Sequence, residues 1–209
     1  MDYDNKGTAT SSKESAVSQE MEKSAENAKL KFPPKKSQSG NGVNLVMILN
    51  YDINKFLSKI NPEDLDDKDN SVGIGELHVT ILPNISDDVK TNKQASSFIE
   101  NQVKSSGVLT TPLTLGKVGT FDMSARNVIF LEVLRGSEGL EGLHDTLKKT
   151  LPNDPYFKEF KLHCTIARLK EKVDFHKYLK EFKDVMVTVE PKEVILSDKD
   201  HNKLLTILP

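Results

Sequence analysis

Leu77-His78-Val79-Thr80-Ile81 and Leu162-His163-Cys164-Thr165-Ile166 each set a histidine two residues before a threonine inside an apolar run. On a β-strand, residues i and i+2 share a face. Each segment therefore presents an imidazole beside a hydroxyl, while Val79 or Cys164 packs the other way. The two copies lie 85 residues apart in a chain with five histidines, which points to a paired acid–base site. Breaking a phosphodiester near pH 7 needs one group to take a proton from the attacking oxygen and another to give one to the leaving oxygen. Histidine, with an ordinary pKa of about 6.5, suits both tasks. Two imidazoles flanking a phosphate can do this without a metal, and the hydroxyls of Thr80 and Thr165 can hold the non-bridging oxygens. The sequence leaves open which histidine is acid and which is base.

The elements that must position these residues follow from periodicity and punctuation. Val43–Asn50 is an apolar run bounded by Gly42 and Asp52, as expected for a buried strand. Ile53–Ile60 reads as a short helix, Glu63–Asn70 as a solvated acidic loop, and Glu76–Leu82 as the first motif strand. Ser86-Asp87-Asp88 opens a helix expected to run to about Ser105. Leu113–Val118 and Val128–Leu134 form a hairpin around Asp122–Asn127, and Ser137–Thr150 is a helix with Leu140, Leu143 and Leu147 on one face. Lys161–Leu169 is the second motif strand and Asp174–Phe182 a short helix. Val185–Val189, Glu193–Leu196 and Leu204–Leu208 follow as three strands. The order is that of a duplicated α+β unit.

Other residues are weaker candidates. Alternation puts His163, Thr165 and Ala167 on one face, so Arg168 nominally points away, although at the strand end it is a candidate to reach a phosphate. Lys117, Arg126 and Lys170 are candidates to add positive potential, and Phe121, Tyr156 and Tyr51 to stack on a base. His144, His176 and His201 read as bland helix or turn residues. No His, Cys or carboxylate spacing carries a zinc signature, and Gly73, Gly75, Gly116 and Gly119 make no phosphate-binding fingerprint. Neither metal nor cofactor is expected.

The duplicated His-x-Thr motif resembles that of the 2H phosphoesterase superfamily, and the resemblance spans residues 43–209. The stretch Gly73–Thr80 followed by Asp87-Asp88 is similar to small phage-type members of the 2′-5′ RNA ligase-like group. So are Leu115–Phe121, Asn127–Val133 and Tyr156–Lys170. One departure is Pro83-Asn84, where relatives often carry an aromatic and a glycine. The resemblance implies an α+β fold of two lobes, each with a mainly antiparallel sheet, related by a pseudo-twofold axis around a central cleft with helices outside. It also implies cleavage of a 2′,3′-cyclic phosphate, a 2′-5′ linkage or a cyclic oligonucleotide, and the phage-type likeness tilts toward degradation of a host defence signal. The rival expectation is a non-catalytic nucleotide-binding or virion-associated module on the same fold.

A net charge of −2 argues against a partner gripped as long duplex nucleic acid, which demands a basic face, and leaves a nucleotide or short RNA. The single cysteine excludes an internal disulfide and reads as buried filler. No run of 18 apolar residues suggests a membrane, and a reducing cytoplasm (the host's, for a phage or viral protein) is the expected setting. Residues 1–42 are rich in Ser, Lys, Glu, Ala and Asn and end in Pro33-Pro34-Lys35-Lys36 and a Ser/Gly stretch. They read as a polar arm and linker, disordered alone or docking on a protein partner.

Overall fold

The computed structural model describes residues 42–66, 76–123, 126–153, 160–198 and 202–209. The polar arm, the rest of the acidic stretch, Tyr156 and His201 lie outside them. Seven strands carry the fold: β1 (Val43–Asn50), β2 (His78–Ile85), β3 (Leu113–Met123), β4 (Arg126–Arg135), β5 (His163–Leu169), β6 (Met186–Ser197) and β7 (Lys203–Leu208). Among the described residues, four α-helices accompany them: α1 (Asn54–Leu57), α2 (Lys93–Ser106), α3 (Glu138–Thr150) and α4 (His176–Glu181).

The strands are antiparallel throughout and run β1-β2-β5-β4-β3-β6-β7, and β6 pairs back onto β1. Six strands thus form a barrel-like ring, and β7 hangs on β6. This corrects the expectation of two separate sheets. The reason lies in β6, expected as two strands and observed as one. Its first four residues pair with β3 and its remainder with β1, so it ties the halves of the ring together. Pro191 does not interrupt it, because it falls at a register irregularity opposite Leu49, where a missing N–H breaks no regular ladder.

β1 is buried on both faces, from Leu45 to Leu49, and shares the core with Val79, Ile81, Leu131, Ile166 and Val194. The helix expected from Ser86 to Ser105 is split. A 3₁₀ turn occupies Asp87–Lys90, and α2 starts afresh where Asn92 Oδ1 accepts from the backbone N–H groups of Gln94 and Ala95. That local cap outcompetes helix continuation. Gly107, at φ +68, ends α2 in the left-handed conformation. α3 packs on α2 and β2, with Leu140, Leu143 and Leu147 buried. Asn84 also takes a left-handed φ of +53, which Asn tolerates better than most residues.

The beginning of the acidic stretch is anchored rather than solvated. Asp64 accepts from Tyr178 Oη at 2.6 Å, and the Asp64 carbonyl accepts from the Lys170 N–H at 3.0 Å. Leu65 bridges Leu169, so this segment extends the sheet beside the end of β5. Among the described residues, no helix is long and apolar enough to cross a membrane.

Candidate active site

Both motifs open their strands: β2 begins at His78 and β5 at His163. The strands pair antiparallel through Val79↔Cys164. Continuing that register by one residue each way sets His78 across from Thr165 and Thr80 across from His163. All four side chains project from the face opposite Val79 and Cys164. Directly opposed Cβ atoms lie about 5 Å apart and same-face neighbours on a strand about 7 Å apart. On that register the quartet would span about one phosphodiester. Val46 pairs with Thr80 and Ile48 with His78, and these two residues form a buried cluster with Ile195. The patch has an apolar flank on its β1 side, which strengthens electrostatic contacts made beside it.

The same local device orients both rings. His163 Nδ1 lies 2.7 Å from the Lys161 carbonyl and His78 Nδ1 lies 3.4 Å from the Glu76 carbonyl, each two residues upstream. A carbonyl only accepts, so Nδ1 is the donor in both rings, which leaves the lone pair on Nε2. Cys164 ties the motifs together. It is fully buried, its thiol donates to the His78 carbonyl at 2.8 Å, and burial pushes its pKa far up.

His163 is flanked by aromatic edges. Phe121 and Phe130 stack on each other at 4.3 Å, and their centroids lie 4.8 and 5.3 Å from the His163 ring. Phe121 was expected near the site; Phe130 was not. Nor were Glu132, which pairs with His163 in register, and Lys161, whose ammonium sits 2.6 Å from Glu132 Oε1. The sequence cue for Glu132 is a lone charge inside the apolar run Val128–Leu134. Burial lowers the pKa of His163 below its ordinary value. The hydrogen bond to the Lys161 carbonyl opposes that shift, and the charges of Lys161 and Arg168 reinforce it.

Strand alternation placed Arg168 on the wrong face. β4 residues Val128, Phe130 and Glu132 alternate regularly, yet their β5 partners are Arg168, Thr165 and His163. One extra residue, a β-bulge between Thr165 and Ala167, shifts the parity. Ile166 and Ala167 are consecutively buried, and Arg168 returns to the face of the two motif residues.

Other candidates fall elsewhere. Tyr51 stacks on Phe56 at 5.1 Å with Lys55 over its ring, at the end of β1. Lys170 Nζ donates to the Glu63 carbonyl at 2.8 Å, which makes it a tie for the 3₁₀ turn. The Arg126 side chain lies outside the described set. His176 bonds Asp174 on the surface. His144 is not a surface residue. It is buried, stacks on Phe160, and its Nδ1 donates to the Ile81 carbonyl at 2.8 Å, pinning β2 just past Thr80. Among the described residues, no three His, Cys, Asp or Glu side chains are grouped to hold a metal.

The barrel-like α+β fold thus brings its two His-x-Thr strands together through the Val79↔Cys164 pair. The model of the 2′-5′ RNA ligase superfamily matches residues 54–202, most of the chain. The chain belongs to this superfamily of 2H phosphoesterases, whose members are phosphodiesterases. Two solved structures are similar to it at low identity. Kluyveromyces marxianus Usb1 with uridine monophosphate is 10 % identical, has a TM-score of 0.47 and covers 81 % of this chain and 98 % of its own. The MHV ns2 PDE domain is 13 % identical, has a TM-score of 0.43 and covers 75 % of this chain and 98 % of its own. No curated protein matches the sequence.

Proposed function

We propose that this chain cleaves a nucleotide phosphodiester by metal-independent acid–base catalysis, with His163 as base, His78 as acid, and Thr80 and Thr165 on the phosphoryl oxygens. The Val79↔Cys164 pair carries this reading, because its register, continued by one residue each way, would set both histidines and both hydroxyls within reach of one phosphate. The lowered pKa of His163 supports its assignment as base, since it is the neutral imidazole that accepts a proton.

In one reaction course, His163 Nε2 takes the proton of a ribose hydroxyl next to the scissile phosphate. The hydroxyl oxygen bonds to phosphorus, the bond from phosphorus to the next nucleoside's oxygen breaks, and His78 protonates that leaving oxygen. The products are a cyclic phosphate and an alcohol, and the histidines have exchanged protonation states. With a 2′,3′-cyclic phosphate, water takes the place of the ribose hydroxyl and the leaving oxygen is the ribose's own. Arg168, returned to the site face by the bulge, adds a cation for the phosphoryl oxygens. Phe121 and Phe130 offer an aromatic wall for a base. The two strands' equivalent placement about their shared pair supports a pseudo-twofold relation between the halves. The phage-type likeness around the first motif extends the proposal to a host defence nucleotide as natural substrate.

The test is a panel assay in EDTA with wild type, His78→Ala and His163→Ala. It holds 2′,3′-cyclic mononucleotides, 2′-5′ oligoadenylate, cyclic di- and trinucleotides and ADP-ribose 1″,2″-cyclic phosphate. Wild type is expected to cleave one class while folded variants do not. Melting shifts without turnover of any substrate would favour the non-catalytic binding module.

A further inference from the structure

We propose that the His163 side of the site carries a second anion subsite, built from Lys117 and Lys161 across Glu132, which takes a substrate phosphate other than the one being cleaved. This inference rests on the phosphodiesterase reading and narrows its substrate class to nucleotides with at least two phosphates.

Three observations converge on it. First, Glu132 lies directly across from His163, its side chain only 15 % exposed, and each of its oxygens holds a different lysine. Lys161 Nζ is 2.6 Å from Oε1 and Lys117 Nζ is 3.1 Å from Oε2. One carboxylate thus holds two ammonium groups together and leaves a net positive charge. Each ammonium has three donors, and the lysine side chains remain 47 % and 70 % exposed, open to an incoming anion. Lys161 also sits 5.3 Å from the Phe130 centroid, on the ring whose edge meets His163.

Second, Lys117 is held in a costly conformation. Its φ is +48, and it is the extra residue of a bulge between Gly116 and Val118. A non-glycine residue there costs on the order of 1 kcal/mol or more and is found where a side chain must be re-aimed. Third, the two sides of the patch differ in charge. Beside His78, Glu76 pairs with Lys192 and Glu193 with Lys203, one cation to each anion. Beside His163, two lysines share one glutamate. An extended polyanion is therefore drawn toward the His163 end. Both burial, which pushes Glu132 up, and its lysines, which push it down, act on its pKa; the net shift is down, so the bridge stays charged.

The experiment compares cleavage of ApA, pApA and ApAp, in 2′-5′ and 3′-5′ linkages, by wild type, Lys117→Ala/Lys161→Ala and Lys117→Arg/Lys161→Arg, each checked for folding by its melting curve. The readout is the ratio of kcat/KM for a terminally phosphorylated dinucleotide to that for bare ApA. Wild type is expected to favour one phosphorylated form about tenfold, chiefly through KM. The alanine pair should bring the ratio near one, and the arginine pair should restore most of it. A wild-type ratio near one, or a ratio unchanged in the alanine pair, overturns the subsite. Cleavage of cyclic mononucleotides but of no dinucleotide overturns it while leaving the phosphodiesterase reading standing. No cleavage of these dinucleotides or of any substrate in the wider panel overturns both.

Discussion

Gly119 is where a single added carbon tests the geometry around His163. A Cβ built there falls 2.5 Å from Phe130 Cζ and 2.8 Å from Cε2, against 3.4 Å for ordinary contact. In Gly119→Ala the ring must therefore retreat by about 0.9 Å. It is stacked on Phe121 and set edge-on to His163, so it has no slack. Overpacking of this kind costs about 1–3 kcal/mol. For a chain of this size, that lowers Tm by about 2–12 °C. The shift is passed to the His163 ring, and displacements near 1 Å at a reacting group cost up to about a hundredfold in rate. Gly119→Ala should therefore lose between about ten- and a hundredfold in kcat/KM. The internal control is Gly142→Ala on the exposed side of α3, where an added Cβ meets nothing within 4 Å. There the substitution should be neutral or stabilise by about 0.5–1 kcal/mol. Calorimetry and steady-state kinetics on the two variants decide the matter. If Gly119→Ala matched Gly142→Ala in Tm and activity, Phe130 would not occupy the place assigned to it.

Three further outcomes are expected. Because His163 titrates below its ordinary value and must be neutral to act as base, the acidic limb of kcat/KM should lie below about pH 6.5, with a separate alkaline limb where the general acid His78 loses its proton. Lys161→Ala removes a charge that depresses this pKa and should move the acidic limb upward; an unmoved limb would contradict the assignment. Arg168→Ala should raise KM for a phosphodiester by about tenfold or more, as for loss of a charge-assisted hydrogen bond. An unchanged KM would mean the bulge does not turn Arg168 to the site. The Cys164 thiol should resist a disulfide labelling reagent in the native protein and react in denaturant. Cys164→Val should cost about 0.5–1.5 kcal/mol by removing the thiol's hydrogen bond to the His78 carbonyl, and rapid native labelling would show that the motifs do not meet as described.

The parts of the fold legible in the sequence were those set by local pattern. Val43–Asn50, the two motif strands and Ser137–Thr150 declare themselves through apolar runs and helical spacing, and the observed elements follow within a few residues. What local pattern does not carry is register. The parity that returns Arg168 to the site depends on one bulged residue between β4 and β5, and nothing in His-Cys-Thr-Ile-Ala-Arg marks it. Phe130 and Glu132 reach His163 only because β4 lies beside β5, a neighbour far along the chain. β6 looked like two strands because Pro191 and its charged neighbours break the apolar run, whereas a register irregularity absorbs them. Asn92 outcompeted the earlier start signal at Ser86 by capping α2 with its own side chain. In the site itself, the His-x-Thr spacing was readable because period-2 alternation is strictly local; the flanking aromatic and charged groups were not, because they come from cross-strand pairing.

The account's central claim is that His78 and His163 act on one phosphate as a single acid–base pair. The most direct measurement is kcat/KM in EDTA for His78→Ala, His163→Ala and the double variant, on whichever substrate wild type cleaves. Groups that act as a unit lose their effect together. Each single variant should therefore fall by about a hundredfold or more, and the double variant should fall no further than the worse single one by more than about a factor of ten. Losses that multiply in the double variant, or a single variant that keeps full activity with its fold intact, would contradict the claim.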